Sequence, residues 1–488
     1  MASQIQHLQF VLLPHLAQGH IIPMVDMARL LAQHGVTATI ITTPFNAIRL
    51  ETTIKRAVES GQRIELLQVQ FPSVQAGLPE GCENMDAIPS RALLKNLLTA
   101  ISMLQEPVER ILHELEPPPS CIISDKHFPW THQTSIKFGI PRLVFDGTSC
   151  FSLLCNHNIL ATNVHEILVD SESFEVPGLP DRIVLTKAQL PNAVKMSDCR
   201  DFRWEMKKSE DAADGLVVNT FEELESAYVN DFRMVTGRKV WCVGPVSLCN
   251  TDNFDKFQRG NKSSVDENEC LNWLNSQETR SVVYVCLGSL SRLSAAQLIE
   301  LGLGLKNSNR PFIWVLKEGS KNEELEQWIS QQNFQNRREG KVLLIRGWSP
   351  QVMILSHPAV GGFLTHCGWN STLEGLCAGV PMITWPLFAE QFYNERFIVQ
   401  VLKVGVKVGA EFSVRWGEEE KFGVVVKREQ VQRAVDELMS DGEEAEERRK
   451  EVRRLRELAQ TAIETGKGSS YLNMALLIQD IVQRVSRK

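Results

Sequence analysis

Short apolar runs alternate with longer amphipathic segments along the whole chain. The runs that predict strands in the first half are residues 10–13, 36–42, 64–71, 121–124, 143–145 and 215–219. Those in the second half are residues 282–287, 312–316, 342–345, 362–365 and 382–385. Several are apolar without alternation, which is typical of strands buried on both faces of a parallel sheet. Helical patterns such as residues 22–33 and 295–306 lie between them, and this alternation predicts a doubly wound α/β fold.

The middle of the chain changes character. Residues 246–268 are polar and carry no apolar period, which predicts a linker. The chain has 488 residues, whereas a single core stops growing at roughly 250–300 residues. We therefore predict an N-terminal domain over residues 1–247, a linker over 248–268 and a C-terminal domain over 269–471, with a helix over 472–488 packing back on the first domain. Two such domains that face one another leave a cleft at the carboxyl ends of their strands, where these sheets bind ligands.

Local signals predict the start of some helices and the exposure of some segments. Three pairs have the spacing of capping boxes: Thr220 with Glu223, Ser264 with Glu267, and Ser294 with Gln297. The polar stretch 411–421 predicts a surface excursion, and the mixed charges of residues 441–456 predict a solvated helix.

Composition and motifs exclude several classes of function. Lys and Arg number 52 against 59 Asp and Glu, a net charge of −7, whereas a nucleic-acid-binding protein shows a basic face. No stretch reaches the roughly 18 uncharged apolar residues of a membrane span, and the first residues lack the pattern of a signal peptide. Eleven cysteines without a CxxC pair favour reduced thiols, so we expect a cytoplasmic protein. GxGxxG after a strand, GxxxxGK[ST], HExxH and GxSxG are all absent, which argues against a dinucleotide enzyme, a P-loop NTPase, a zincin or an α/β-hydrolase.

Candidate chemistry is concentrated in residues 348–391, whose centre reads as a strand, a tight loop over 366–370 and a helix from Ser371. The free N–H groups and the dipole at a helix N-terminus favour an anion such as phosphate. Gly368 allows close backbone approach, and further donors come from His366, Asn370 and Ser371. The same spacing also makes Ser371 and Glu374 a capping box, so the residues alone leave a structural interpretation open.

A second candidate site lies in the first half. His20 follows the first predicted strand, and Asp125 follows another, in CIISDKHFPW. An imidazole that titrates near neutrality can take a proton from a hydroxyl, and a carboxylate can fix its tautomer. His15 and His127 stand beside these two residues, and the pattern alone does not separate them from a catalytic pair.

The span 348–391 resembles, over its 44 residues, the signature box of plant family-1 UDP-sugar-dependent glycosyltransferases. Trp348, Gln351, the HCGWNS run, Glu374 and the closing Glu390-Gln391 stand at the spacing of that box. The segments PHLAQGHIIPMVDMARLLA and RWGEEEKFGVVVKREQV resemble the branch that acts on flavonoids, triterpenoids and plant hormones. The resemblance implies two Rossmann-like domains facing across a cleft (the GT-B fold), with the acceptor held mainly by the first half and the UDP-sugar by the second.

The resemblance also implies a role for each residue. On the nucleoside, Trp348 stacks on uracil, Gln351 lies beside the base and ribose, and Glu374 accepts from the ribose hydroxyls. The diphosphate contacts are Ser289, His366, Asn370 and Ser371, with Gly368 in the same loop. The sugar contacts are the Trp369 backbone, Glu390 and Gln391. Position 390 is Glu where Asp is commoner in the family. His20 is the general base and Asp125 its partner.

The implied reaction is an inverting transfer of glucose from UDP-glucose to a hydroxyl of a small apolar plant-type aglycone, giving a β-O-glucoside. We expect no metal, because no DxD-like acidic pair lies beside the phosphate loop, no cofactor besides the donor substrate, and a monomer as in the family. Residues 78–90, 145–154 and 185–201 are predicted to line an apolar acceptor pocket, which suits a flavonoid or other phenolic and a triterpenoid or steroid alcohol alike. Another UDP-sugar, a carboxylate acceptor, a non-catalytic nucleotide-sugar-binding protein and a nicotinamide-dependent oxidoreductase are the alternatives.

Overall fold

The computed structural model describes residue 5 and residues 7–195, 200–317, 323–332, 334 and 340–486. The predicted pocket segment 185–201 and the predicted terminal helix 472–488 are therefore described in part, since residues 196–199 and 487–488 lie outside the described residues. Within the described part, no helix is both long enough and apolar enough to cross a membrane.

The first half of the chain forms a seven-stranded parallel sheet. Its strands are β1 (Gln9–Leu13), β2 (Thr37–Thr42), β3 (Ile64–Gln68), β4 (Cys121–Asp125), β5 (Arg142–Asp146), β8 (Gly215–Val218) and β9 (Val240–Cys242). They lie in the order β3-β2-β1-β4-β5-β8-β9. A separate antiparallel hairpin is formed by β6 (Ser173–Glu175) and β7 (Val184–Thr186). The chain moves outward in opposite directions from β1 and β4, so the switch point of the sheet lies between these two strands.

The second half forms a six-stranded parallel sheet. Its strands are β10 (Val282–Cys286), β11 (Phe312–Leu316), β12 (Val342–Arg346), β13 (Val360–Thr365), β14 (Met382–Thr384) and β15 (Gly405–Lys407). The order β12-β11-β10-β13-β14-β15 places its switch point between β10 and β13. All eleven strands predicted from the apolar runs are present, and the predicted doubly wound α/β fold is confirmed.

Helices connect and cover both sheets. In the first half they are Gln18–Gln33, Pro44–Glu59, Leu94–Ser102, Gln105–Glu114, Thr131–Phe138, Cys150–Thr162, Val164–Ile167, Asn192–Lys195, Arg200–Asp211 and Glu222–Thr236. Those that follow are Asn253–Gln258, Glu267–Asn275, Ala295–Asn307, Glu323–Gln331, Gln351–Leu355, Trp369–Ala378, Gln391–Arg396, Arg428–Leu438, Glu443–Ala462 and Ser469–Val485. The last helix buries Met474, Leu477, Ile478 and Ile481 in the same apolar cluster as the N-terminal strands. The end of the chain therefore packs on the N-terminal sheet.

Three local predictions differ from the structure. The helix after β8 begins at Glu222 without a side-chain cap, because the Thr220 hydroxyl donates to Glu225 instead. The helix Glu267–Asn275 is capped by Asp266, not by Ser264. Ser294 does cap its helix, accepting from the Gln297 N–H at 3.3 Å, but Gln297 does not complete the box, because its Oε1 accepts from the N–H groups of residues 425 and 426.

The polar stretches are also more structured than predicted. The helix Asn253–Gln258 lies inside the segment predicted as an irregular linker. The stretch 411–421 is not an exposed excursion, because Trp416 is only 7% exposed and packs in an apolar cluster of the first half. Its indole Nε1–H donates to the carbonyl of Leu290 at 3.1 Å.

Candidate active site

His20 and Asp125 meet at the switch point of the N-terminal sheet. His20 lies in the first turn of the helix that follows β1, which begins at Gln18, earlier than predicted, and Asp125 is the last residue of β4. The His20 Nδ1 lies 2.6 Å from the Asp125 Oδ2. The imidazole is 29% exposed and lines the cavity, whereas the carboxylate is 1% exposed behind it. The structure therefore brings this predicted pair together, with the imidazole on the cavity side and the carboxylate buried behind it.

His127 and His15 complete a cluster around the same carboxylate. The Nδ1 of His127 lies 2.6 Å from the Asp125 Oδ1, and its backbone N–H donates to the same oxygen at 3.0 Å. The His15 ring stacks on His127, with ring centroids 4.2 Å apart, and contacts His20 edge-on. Asp125 therefore fixes two imidazoles at once, one on each oxygen.

Electrostatics distinguish the three histidines. Burial alone lowers the pKa of His20, but the charge and hydrogen bond of Asp125 overcome it and raise that pKa above its usual value. Burial keeps the pKa of His127 lowered in spite of the same partner. Burial and the neighbouring histidines hold the pKa of His15 well below its usual value. Of the three, His20 is the imidazole best suited to accept a proton.

The same cluster is the one group of potential metal ligands found among the described residues. One ligand atom each from His20, Asp125 and His127 lies within 4.8 Å of the others. Both imidazole Nδ1 atoms already lie at hydrogen-bond distance from separate oxygens of Asp125. The geometry is thus that of a carboxylate orienting two imidazoles.

The switch point of the C-terminal sheet carries the loop predicted to bind phosphate. The helix after β13 begins at Trp369, two residues earlier than predicted, with Gly368 as its N-cap residue. Glu374 therefore lies in the second turn and does not form a capping box with Ser371. Ser289, from the loop after β10, lines the same cavity as this helix start. Free N–H groups from the helix thus face a cavity, as anion binding requires.

The His366 imidazole lies between two glycines, Gly288 in the loop after β10 and Gly368 in its own loop. A Cβ at Gly288, whose φ is +80°, would lie 2.6 Å from the imidazole, and one at Gly368 would lie 2.4 Å from it. Burial lowers the pKa of His366 to about 4, and its Nδ1 has no hydrogen-bond partner in the described part of the chain. His366 is therefore neutral at pH 7 and can offer an N–H, but not a positive charge, to a phosphate.

Glu374 belongs to a buried network that joins the two halves. Its Oε2 accepts from the Gln351 Nε2 at 2.7 Å, and its Oε1 from the Arg259 Nη1 at 2.5 Å. The Nε of Arg259 donates to the Asp26 Oδ2, 2.8 Å away in the first helix. Gln351 also donates to the Ser371 hydroxyl at 3.0 Å. The predicted ribose-binding carboxylate is thus held from two sides.

Trp348 lies at the edge of this network. Its indole Nε1–H donates to the carbonyl of Arg259 at 3.3 Å, and it lines the cavity. A Cβ at Gly260, whose φ is +92°, would lie 2.5 Å from the indole, so only glycine fits at that position. The ring is therefore held by the segment that connects the two sheets.

Of the two predicted sugar-binding side chains, one lines the cavity and the other does not. Glu390 lines the cavity, and burial raises the pKa of its carboxyl group. Gln391 is 4% exposed and is not among the lining residues; its Oε1 accepts from the backbone N–H groups of Leu387 and Phe388 at 2.8 and 3.0 Å. Any contact of Gln391 with a sugar therefore falls to its Nε2 group.

The two halves touch directly at the candidate site. The Asn370 Nδ2 donates to the carbonyl of Gly19 at 2.6 Å, next to His20. The Trp369 indole donates to the carbonyl of Asn219 at 2.7 Å. The phosphate loop and the His20–Asp125 pair therefore face one another across a single cavity of about 1890 Å³.

Comparison with known proteins places this geometry in a family. A sequence profile of the family described as "UDP-glucoronosyl and UDP-glucosyl transferase" matches residues 185–417. The chain is 53% identical over 488 residues to "UDP-glycosyltransferase 73C1" of Arabidopsis thaliana, with 99% of each chain covered. The chain belongs to the plant family-1 UDP-glycosyltransferases.

Solved structures of other UDP-glycosyltransferases share the fold. A crystal structure of Glycyrrhiza uralensis UGT73P12 complexed with glycyrrhetinic acid 3-O-monoglucuronide has a TM-score of 0.92 and 37% identity, covering 98% of this chain and 96% of that one. Medicago truncatula UGT71G1 complexed with UDP-glucose has a TM-score of 0.77 and 25% identity, covering 99% and 100%. The two parallel α/β sheets are accordingly the Rossmann-like pair of the GT-B fold, and the enzyme transfers a glycosyl group from a UDP-sugar to a small acceptor.

The cavity of this glycosyltransferase is more polar than the sequence predicts. Each of the predicted pocket segments 78–90, 145–154 and 185–201 contributes lining residues in its described part. Charged side chains nevertheless stand among the apolar ones: Asp86, Arg91, Lys126, Asp146, Lys187 and Glu210. Charged side chains thus stand among the predicted apolar ones, because strand-end and helix residues distant in sequence converge on the cavity.

Sequence reasoning missed two residues of the site, Arg259 and Lys126, and the ion pair that a third residue, Asp146, forms. Arg259 is buried between Asp26 and Glu374, although it lies in a segment that reads as a polar linker. Lys126 and Asp146 form an ion pair at the ends of β4 and β5. The available signal was position, since Lys126 directly follows Asp125 and Asp146 directly follows the predicted apolar run 143–145.

Proposed function

We propose that this enzyme transfers glucose from UDP-glucose to a hydroxyl of a small plant-type acceptor with inversion, giving a β-O-glucoside. The observation that carries the proposal is the His20–Asp125 pair, whose Nδ1–Oδ2 distance is 2.6 Å, in one cavity with the phosphate loop. Since Nδ1 of His20 bonds to Asp125, the Nε2 is the atom left to accept a proton. Asp125 stabilises the imidazolium as it forms.

In this proposal the proton of the acceptor hydroxyl passes to the His20 Nε2 while the oxygen attacks the anomeric carbon. The bond between that carbon and the β-phosphate oxygen breaks, and UDP leaves with the electron pair. The N-terminus of the helix Trp369–Ala378 and the neutral His366 face the phosphate and stabilise the developing charge by hydrogen bonding. No cofactor or metal enters these steps.

The remaining donor contacts follow the resemblance of the signature box. Trp348 stacks on uracil, Glu374 accepts from the ribose hydroxyls, and Gln351 holds Glu374 from beside the base. Ser289, Asn370 and Ser371 line the cavity as diphosphate donors, and Glu390 faces the sugar. UDP-glucose is favoured as donor by the closing glutamine, Gln391, and by the similarity to UGT71G1, which was crystallised with that sugar nucleotide.

The acceptor is proposed to be a flavonoid or other phenolic, or a triterpenoid or steroid alcohol. Small-molecule pockets usually measure about 300–1,000 Å³. The cavity here measures about 1890 Å³, which leaves room for an acceptor beside the donor. Both scaffold classes have a counterpart among similar structures, since UGT73P12 was crystallised with a glycyrrhetinic acid glucuronide and UGT89C1 with quercetin.

The test is UDP release from UDP-glucose, in the presence of EDTA, with a panel of flavonols, simple phenols and triterpenoid alcohols. Acceptor-dependent release that is lost in His20→Ala, with UDP binding retained, is the expected result. UDP binding without release for any acceptor, with UDP-galactose, UDP-xylose and UDP-rhamnose also tried, would indicate a binding protein instead. Release that stops on addition of EDTA would refute metal independence.

A further inference from the structure

A buried ion pair lies one strand beyond the His20–Asp125 pair. Lys126 follows Asp125 at the end of β4, and Asp146 is the last residue of β5. Because β4 and β5 are parallel with Asp125 opposite Phe145, the next residues, Lys126 and Asp146, also stand opposite one another. The Lys126 Nζ lies 2.8 Å from the Asp146 Oδ2, and both side chains line the cavity.

The two groups differ in how they meet the cavity. The Asp146 carboxylate is 1% exposed, and its Oδ1 accepts from the backbone N–H and the hydroxyl of Thr148 at 3.1 and 2.9 Å. The Lys126 side chain is 24% exposed. An ammonium group has three N–H donors, and Asp146 accepts one of them. The carboxylate thus anchors an ammonium group whose other donors have no hydrogen-bond partner in the described part of the chain.

The charges of this pair act on the reacting groups. Lys126 lowers and Asp146 raises the pKa of His20, and the same two charges act in the same directions on Glu390. Burial works against the ammonium form, but the charges of Asp146 and Glu210 keep the pKa of Lys126 above its usual value. Lys126 is therefore a permanent cation beside the base and the proposed sugar-binding carboxyl group.

We propose that Lys126, held by Asp146, binds a second hydroxyl of the acceptor, adjacent to the hydroxyl that His20 deprotonates. The inference rests on the proposed function and specifies its acceptor as a vicinal diol. A hydroxyl offers a lone pair to the ammonium group and, being uncharged, is not repelled by the neighbouring carboxylates. A carboxylate ligand suits only Lys126, because Asp146 and Asp125 would repel it.

A vicinal diol has two sources, a catechol ring and the sugar ring of a glycoside. The phenolic arm of the test compares quercetin, which carries a catechol, with kaempferol, which has a single hydroxyl on that ring. The glycoside arm compares 4-nitrophenyl β-glucoside with its 3-deoxy counterpart, which has no two hydroxyls on neighbouring carbons. For each compound, kcat/KM is measured at saturating UDP-glucose in wild type, Lys126→Met, Lys126→Arg and Asp146→Asn.

We expect a diol preference in at least one arm. We expect Lys126→Met to reduce the ratio of kcat/KM for the diol to kcat/KM for its diol-free counterpart by about ten- to a hundredfold, the range for a hydrogen bond to a charged group. Lys126→Arg keeps the cation and retains most of the preference. Asp146→Asn keeps the shape of the side chain but removes the negative charge that holds Lys126, so its diol preference should lie between those of wild type and Lys126→Met. The arm in which the ratio collapses identifies the source of the diol.

A ratio that is the same in wild type and Lys126→Met would overturn the inference while leaving the proposed function intact. A wild type without acceptor-dependent UDP release would overturn both. Because removing one member of a buried pair can unfold a protein, the double variant Lys126→Met/Asp146→Leu, which leaves no unpaired charge, is measured in parallel. If this double variant folds and still prefers diols, the pair only holds the strand ends together.

Discussion

Replacing Arg259 tests whether its buried network joins the two halves energetically. The Arg259 side chain is 8% exposed, and its partners Asp26 and Glu374 are 2% and 6% exposed. Arg259→Met would leave two buried carboxylates without their common cation. Glu374 would keep Gln351, and Asp26 would keep the Asn250 Nδ2 at 2.9 Å, but neither amide carries charge.

Removing one partner of a buried ion pair costs about 3–5 kcal/mol. For a domain of 150–250 residues, each kcal/mol moves the melting temperature by about 2–4 °C. We therefore expect Arg259→Met to melt about 6–20 °C below wild type. Thermal unfolding followed by tryptophan fluorescence, at one fixed scan rate, measures this difference.

Arg346→Met provides the matched control. Arg346 pairs with Glu326, but the two side chains are 40% and 36% exposed. An exposed pair contributes about 0–1 kcal/mol, so the control should melt within about 4 °C of wild type. Adding Asp26→Asn to Arg259→Met removes one of the stranded charges and should recover part of the loss. Equal melting temperatures for Arg259→Met and Arg346→Met would refute the buried, coupled network.

The remaining predictions concern the reaction and the donor loop. Because Asp125 raises the pKa of His20, kcat/KM should fall as the pH drops below that raised pKa, and Asp125→Asn should move this fall to lower pH. A pH–rate profile whose acid side does not move in Asp125→Asn would exclude His20 as the titrating base. Gly288→Ala places a Cβ 2.6 Å from His366 and should weaken UDP binding, as measured by calorimetry. The control Gly61→Ala changes a glycine of similar positive φ with nothing within 4 Å of its Cβ, and it should bind UDP normally. Gln391→Glu keeps the two backbone hydrogen bonds and removes the amide donor, so the KM for UDP-glucose should rise while the Kd for UDP changes little; an equal change in both would mean that Gln391 only braces the backbone.

The sequence predicts the strands well because their signal is local. A run of apolar residues buried on both faces marks each long strand, and polar residues after those runs mark its carboxyl end. That logic found His20, Asp125 and the loop of His366. The strands it missed, β6, β7, β9 and β15, have only three residues each.

What the sequence could not predict depends on contacts between distant segments. Ser371 and Glu374 have capping-box spacing, but one turn of any helix gives the same spacing, and the helix begins at Trp369 instead. Arg259 reads as one charge in a polar stretch until folding places it between carboxylates 233 and 115 positions away. The stretch 411–421 reads as exposed for the same reason, since Trp416 is covered by the other half.

The position of each polar group relative to the two switch points matches the role that we propose for it. The proposed general base, His20, and the proposed phosphate loop, residues 366–370, lie at the switch points, between β1 and β4 and after β13. Outward-turning connections leave a crevice there. Lys126 and Asp146 lie one strand outward, at the ends of β4 and β5, on the half that holds the acceptor in the proposed reaction. A cation in that position directly follows Asp125, the partner of His20. If it binds the acceptor group next to the reacting hydroxyl, as we propose, a change at Lys126 should alter which acceptor is chosen without altering the affinity for UDP.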